Sequence, residues 1–185
     1  MGPERKQLSP DPAGNIYYLG WILTIDRVNP SFGASPMLND VYNRRILELA
    51  GNIPRLGRLA EADASATAHS RLCGSTVTVD IKMDGETVVD FAHEVKACAL
   101  GQASSSIMAR NVIGARAAEL RDLREAVRRM LKEHGPPPTG ARWSDIAVLE
   151  PVRDFKARHA STMLTFDAVV AAIDQIEAKR REDRN

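Results

Sequence analysis

The chain lacks the features that would give it a covalent staple, an anchor or a polyanionic partner. It has two cysteines in 185 residues. That is too few for the disulfide framework of a small secreted domain and fits thiol chemistry or metal ligation better. It has almost no charge imbalance: 25 lysines and arginines against 24 acids leave a net charge of +1. Nothing in that balance calls for nucleic acid or a membrane as partner. The apolar run near the start, Ile16 to Ile25, is too short to cross a bilayer as a helix. No internal repeat is visible. The serine run Ser104 to Ser106 has no G-x-S-x-G elbow and no triad order around it, so it reads as small residues for close helix packing.

What is present is the composition of an ordinary soluble globular protein, 44% apolar and 26% charged, expected in the cytoplasm, with a length that suits one domain plus appendages. Residues 1–36 hold Pro3, Pro10, Pro12, Pro30 and Pro36 and are expected to form a poorly ordered or loosely packed extension. A secretory leader is disfavoured by Glu4 and by the absence of an A-x-A site, and Met37 is an alternative start. The domain is expected over residues 37–177, with a charged tail over 178–185.

Within that domain Asn39 or Asp40 can cap a helix carrying Leu38, Tyr42, Ile46 and Leu49, which Gly51 and Pro54 end. Residues 51–71 read as small, polar and irregular. Val77, Val79, Ile81 and Met83 then alternate with polar residues, Asp84-Gly85 marks a hairpin turn, and Val89, Phe91, His93, Val95 and Ala97 share one face of the return strand. Helices are expected over 101–113 and 116–134, the second stopped by Gly135 and three prolines. A loop with Trp143 follows. A last helix begins near Ser161-Thr162 with Leu164, Ala168, Val169, Ala172, Ile173 and Ile176 as its buried stripe. Helix, antiparallel hairpin and further helices make an α+β domain: a small antiparallel sheet with helices packed on one face.

Cys73 lies 11 positions before Asp84, and Cys98 lies 13 after Gly85. A hairpin turning there returns its ends to one place, so the two thiols are expected to be neighbours at its open end. Two buried apolar cysteines would have the same spacing, and spacing alone leaves both readings open. Cys98 also precedes a helix N-terminus, where the dipole favours thiolate. His159, ahead of the last helix, is placed to present a ligand from a third segment, although taken alone it reads more simply as a surface or capping histidine. His93 shares its strand face with Phe91 and Val95 and reads as a hydrogen-bonded core residue.

Cys73-Gly74-Ser75 at the start of the hairpin, and Cys98 followed by Gly101-Gln102-Ala103-Ser104-Ser105-Ser106, resemble the NifU/IscU/SufU iron–sulfur cluster assembly scaffolds. In that family Cys-Gly-Asp opens a hairpin, and a second Cys ends it before an Ala/Ser-rich helix. A third Cys precedes the last helix in a Lys/Arg-x-x-Cys context, and Leu149 to Arg158 resembles the approach to it. The stretch between 114 and 150 is closer to the SufU branch, and the resemblance covers about residues 37–177. Two departures stand out. Ser75 occupies the place of the family Asp, and the third Cys is absent. Counting back without a gap from Asp167-Ala168-Val169 puts Ser161 in its place, with His159 two residues earlier and able to substitute after a small shift of the loop.

The resemblance implies a SufE/NifU-like fold and a carrier rather than an enzyme. It implies Cys73 and Cys98 as cluster ligands or persulfide acceptors and His159 as third metal ligand. It implies an iron–sulfur cluster or iron as cofactor, alternatively zinc. The implied partners are a cysteine desulfurase and cluster-acceptor proteins, with no nucleic acid and no membrane. Two further readings stand beside it: a SufU-like zinc protein that relays sulfur, and a degenerate scaffold acting as a metal-free binding module.

Overall fold

The computed structural model describes residues 44–184; the expectations for residues 1–36 and for Leu38 to Tyr42 lie outside it. The described part opens with α1 (Arg44–Gly51), which buries Ile46 and Leu49 as their spacing predicts. Three antiparallel strands follow in the order β1 (Ala64–His69), β2 (Thr76–Asp84) and β3 (Thr87–Lys96).

β1 lies in a stretch expected to be irregular. It pairs with β2 from Ala64 opposite Ile81 to His69 opposite Thr76. Its sequence, Ala-Ser-Ala-Thr-Ala-His, is poor in β-branched and aromatic residues, and only Ala66 is buried. As an edge strand it is held by the ladder, by Ala66 in the core and by the Thr67–Thr78 hydroxyl contact at 2.9 Å.

The β2–β3 hairpin turns at Asp84-Gly85 as predicted, with Gly85 at φ +54°, a conformation that favours glycine. One detail differs. A bulge between Lys82 and Met83 shifts the register, so that Met83 faces Val88 rather than Val89. Val88 is therefore fully buried, and Val89, expected on the core face, is 46% exposed.

The helices α2 (Ala99–Asn111) and α3 (Ala117–Lys132) fall close to their predicted places. Ser104, Ser105 and Ser106 are all buried, in keeping with a packing role. The expected loop around Trp143 is instead a 3₁₀ segment, Ala141–Asp154. Its buried residues Trp143, Ile146, Leu149 and Val152 recur every third position, the period of that helix.

The last helix, α4 (Lys156–Glu182), begins at Lys156 rather than near Ser161, so His159 and Ser161 lie inside its first turns. α4 packs on β1 and β2 and against α2 and α3. Val77, Val79, Ile81 and Phe91 meet Leu164, Val169 and Ile173 in one core. At its far end Arg180 donates hydrogen bonds to the Gly85 and Met83 carbonyls, tying the helix to the hairpin turn. The result is the expected α+β arrangement. No described helix is long and apolar enough to cross a membrane.

Candidate functional site

Cys73 sits on the short loop between β1 and β2. That loop is closed by its own backbone: Ser70 N–H donates to the Ser75 carbonyl at 2.8 Å, and Gly74 N–H donates to the Ser70 carbonyl at 2.9 Å. Gly74 takes φ +68° to complete the turn, which a side chain would strain. The loop leaves Cys73 exposed while burying Ser70 and Ser75.

Both buried hydroxyls face the thiol. Cys73 Sγ lies 3.0 Å from Ser75 Oγ and 3.3 Å from Ser70 Oγ. The Ser70 hydroxyl does most to bring the thiol pKa down to about 7. The Ser75 hydroxyl and its N–H follow, a small desolvation cost opposes them, and the positive charge of Arg158 adds to the lowering. Hydrogen bonds to the charged form favour it, so Cys73 is a ready nucleophile near neutral pH.

Cys98 is the N-cap residue of α2 and is half-buried. Its sulfur lies 3.4 Å from Ser161 Oγ, and that hydroxyl in turn donates to the Arg158 carbonyl at 3.0 Å. Gly101 permits this approach: a Cβ there would come within 2.7 Å of Ala97 Cβ and 3.0 Å of the Ser161 carbonyl oxygen. The opening turns of α4 therefore border both thiols, through Arg158 at Cys73 and through Ser161 at Cys98.

His159 is differently placed. It is buried, and its Nε2 donates to the carbonyls of Val152 and Arg153 at 3.1 and 3.0 Å. It thereby clasps the end of the 3₁₀ segment to the start of α4. Among the described residues no three of His, Cys, Asp or Glu stand close enough to hold one metal ion. The residue brought to Cys98 is Ser161. His93 is fully buried and donates from Nε2 to the Pro54 carbonyl, with desolvation holding its pKa below the usual value.

The arrangement offers an exposed thiol whose charged form two hydroxyls favour, and a second, half-buried thiol beside another hydroxyl. Ser70 was missed by the sequence reading. A serine three residues ahead of a cysteine has no pattern of its own; only the closed loop brings it to the sulfur.

Comparison with known proteins gives three findings. The model for the NifU-like N terminal domain matches residues 41–183. The iron–sulfur cluster assembly scaffold protein IscU of Thermotoga maritima is 24% identical over 136 residues, covering 74% of this chain and 94% of that protein. Among solved structures, a nitrogen-fixing NifU-like protein (N-terminal) from Brucella abortus superposes with a TM-score of 0.76 at 68% identity, covering 77% of this chain and 99% of the other. A candidate iron–sulfur cluster assembly scaffold for the SUF system of Fervidobacterium islandicum shares the fold, with a TM-score of 0.66 at 21% identity over 72% of this chain and 97% of its own.

Proposed function

The chain belongs to the NifU-like N-terminal domain family of iron–sulfur cluster assembly scaffolds, and from that premise we propose that it accepts sulfur from a cysteine desulfurase on Cys73 and carries iron or a cluster as cargo between Cys73 and Cys98. The observation that carries this reading is the Cys73 loop, which joins an exposed cysteine to a thiol pKa of about 7.

In the transfer step the Cys73 thiolate attacks the outer sulfur of the donor's persulfide. A new S–S bond forms on Cys73 while the donor's S–S bond breaks. The donor departs as a thiolate, and the outer sulfur keeps its proton as it passes to Cys73. No external oxidant is needed. Ser70 and Ser75 hold the attacking sulfur in its charged form, and the positive charge of Arg158 favours the same form.

For the cargo, Cys73 and Cys98 are the thiolate donors, a ligand type that selects iron–sulfur centres or zinc. The third-ligand role expected of His159 would fall to Nδ1, because Nε2 is committed to two carbonyls. Among the described residues no three of His, Cys, Asp or Glu, His159 included, stand close enough to share one metal ion. We therefore assign His159 to the clasp and the cargo to the two cysteines, with Ser161 beside Cys98. Two protein thiolates leave a tetrahedral metal with open positions, which suits a cargo meant to be passed on to an acceptor protein.

The reading is tested by incubating the chain with a cysteine desulfurase and cysteine, then mapping added sulfur by mass spectrometry. One extra sulfur on Cys73, absent from Cys73→Ala, is expected. No sulfur on Cys73 with a desulfurase that loads a control acceptor would overturn it.

A further inference from the structure

A cavity of about 550 Å³ opens between α3, the first turns of α4 and the end of β1. Its rim is cationic. Arg124, Arg128 and Lys132 come from α3, and Lys156 comes from α4. Its floor is apolar, built largely from Met163 and Leu164. Against four fixed positive charges it holds one acid, Asp167, which is bound to Arg124 at 2.6 Å. Arg128 is held by Glu125 and Glu133 at 2.7 and 2.8 Å. Lys132 and Lys156 are exposed and have no acidic partner among the described residues.

The groove also adjoins the candidate site. His69 lines it, and the next residue, Ser70, contacts the Cys73 sulfur. His159 lines it, and the preceding residue, Arg158, acts on the Cys73 thiol.

We propose that this groove docks a carboxylate-rich segment of the protein that delivers sulfur to Cys73. The proposal rests on the sulfur-accepting reading above and adds the surface that positions the donor. Three features favour an acidic polypeptide segment over a small anion. First, the α3 cations stand at i, i+4 and i+8, a row about 12 Å long with steps of about 6 Å. Carboxylates on one face of a helix, or at alternate positions of a strand, repeat at about that step. Second, the Asp167–Arg124 pair shows a carboxylate already seated in the groove. Third, the apolar floor can take the aliphatic stems of such residues and lower the local dielectric around their ion pairs. The two unpaired lysines supply the positive charge that the chain's own acids leave unmatched.

The test uses the full chain and the double variant Lys132→Glu/Lys156→Glu. Both residues are exposed, and neither belongs to the thiol site. The probe is a fluorescein-labelled octaglutamate peptide followed by anisotropy, with inorganic pyrophosphate as competitor. Binding to the parent should weaken roughly tenfold in the variant and fall with added salt, as rim charge pairs do. In persulfide loading by the desulfurase, the variant should raise KM for the donor and leave the rate at saturating donor unchanged. Loading of Cys73 by a small persulfide donor, cysteine persulfide, should be the same in both.

Equal peptide binding, or an equal donor KM, in parent and variant would overturn the docking groove. So would displacement of the peptide by pyrophosphate at equal concentration, which would mark a small-anion site. If no donor loads Cys73 in either protein while the peptide still discriminates, the sulfur reading falls and the preference of the groove for carboxylates stands. The two failures are thus distinguishable.

Discussion

Ser161 Oγ lies 3.4 Å from Cys98 Sγ, on the residue where the family pattern would carry its third thiol. A hydroxyl is a poor metal ligand beside a thiolate because it must lose a proton first. Ser161→Cys should therefore strengthen iron or zinc binding by at least about tenfold, the scale on which a metal's immediate surroundings act. Ser161→Ala should change it little. Metal-to-protein ratios of untagged, reduced protein would decide. Equal retention in Ser161→Cys and the parent would remove position 161 from the cargo site.

Cys73 should alkylate with a pH midpoint near 7, its lowered thiol pKa. The sign follows from the donors. Ser70 and Ser75 stabilise the thiolate, so losing one favours the protonated form and raises the midpoint. Ser70→Ala should move it toward the ordinary thiol value of about 8.5, and Cys98→Ala should leave it in place. Iodoacetamide rates from pH 5.5 to 9.5 would show this, and an unmoved midpoint in Ser70→Ala would mean that the hydroxyl does not set it.

His159→Ala should cost stability rather than sulfur loading. Two carbonyls lose their donor, at about 1–3 kcal/mol for buried groups left unmatched. A lower midpoint in urea, with unchanged persulfide loading of Cys73, is expected. Full stability combined with lost metal would restore His159 as a ligand.

Gly101→Ala should be destabilising by about 1–3 kcal/mol, the range for overpacking. The added methyl meets Ala97 Cβ and the Ser161 carbonyl, neither of which is the flexible end of a long side chain. Thermal melts would measure the loss, and a parent-like melt would show that α2 and α4 can part without cost.

Asp80 gives the fold an acid sensitivity. Burial pushes its carboxyl up, but Arg58, the Leu59 N–H and Ser65 outweigh it and hold the pKa below the usual value. A depressed folded pKa stabilises above the unfolded value, and that contribution is lost as pH falls through the folded one. Asp80→Asn should lower the melting temperature at pH 7 and narrow the gap to the parent at low pH. A constant gap across that range would exclude the linkage.

The hairpin was legible because alternation and Asp84-Gly85 are local signals that tertiary packing reinforces. β1 was not, because alanine and serine carry little strand preference and its single threonine makes no pattern. The start of α4 was read late for a similar reason. Lys156, Ala157, Arg158 and Ala160 are exposed and offer no apolar periodicity, although most are good helix formers. The 3₁₀ segment did carry a signal, apolar residues at every third position, which a search for periods of 2 and 3.6 passes over. At the site Ser75 and Ser161 were named through the family resemblance, and Ser70 was not. Ser70 reaches Cys73 through loop closure and Ser161 reaches Cys98 across 63 positions, and neither relation has a sequence period.

The far end of α4 limits how the near end can move. The helix is 27 residues long, a rod of about 40 Å. Arg180 ties its last turns to the hairpin turn through the Gly85 and Met83 carbonyls. Admitting cargo to Cys73 and Cys98, as proposed, would shift the first turns of that rod, where Ser161 meets Cys98. Sliding along the sheet would tear Arg180 from the turn, so the available motion is a swing about that point. The tether leaves rotation about the hairpin turn as the motion that would keep both of its hydrogen bonds, and any angle there would be magnified along the rod toward the thiols.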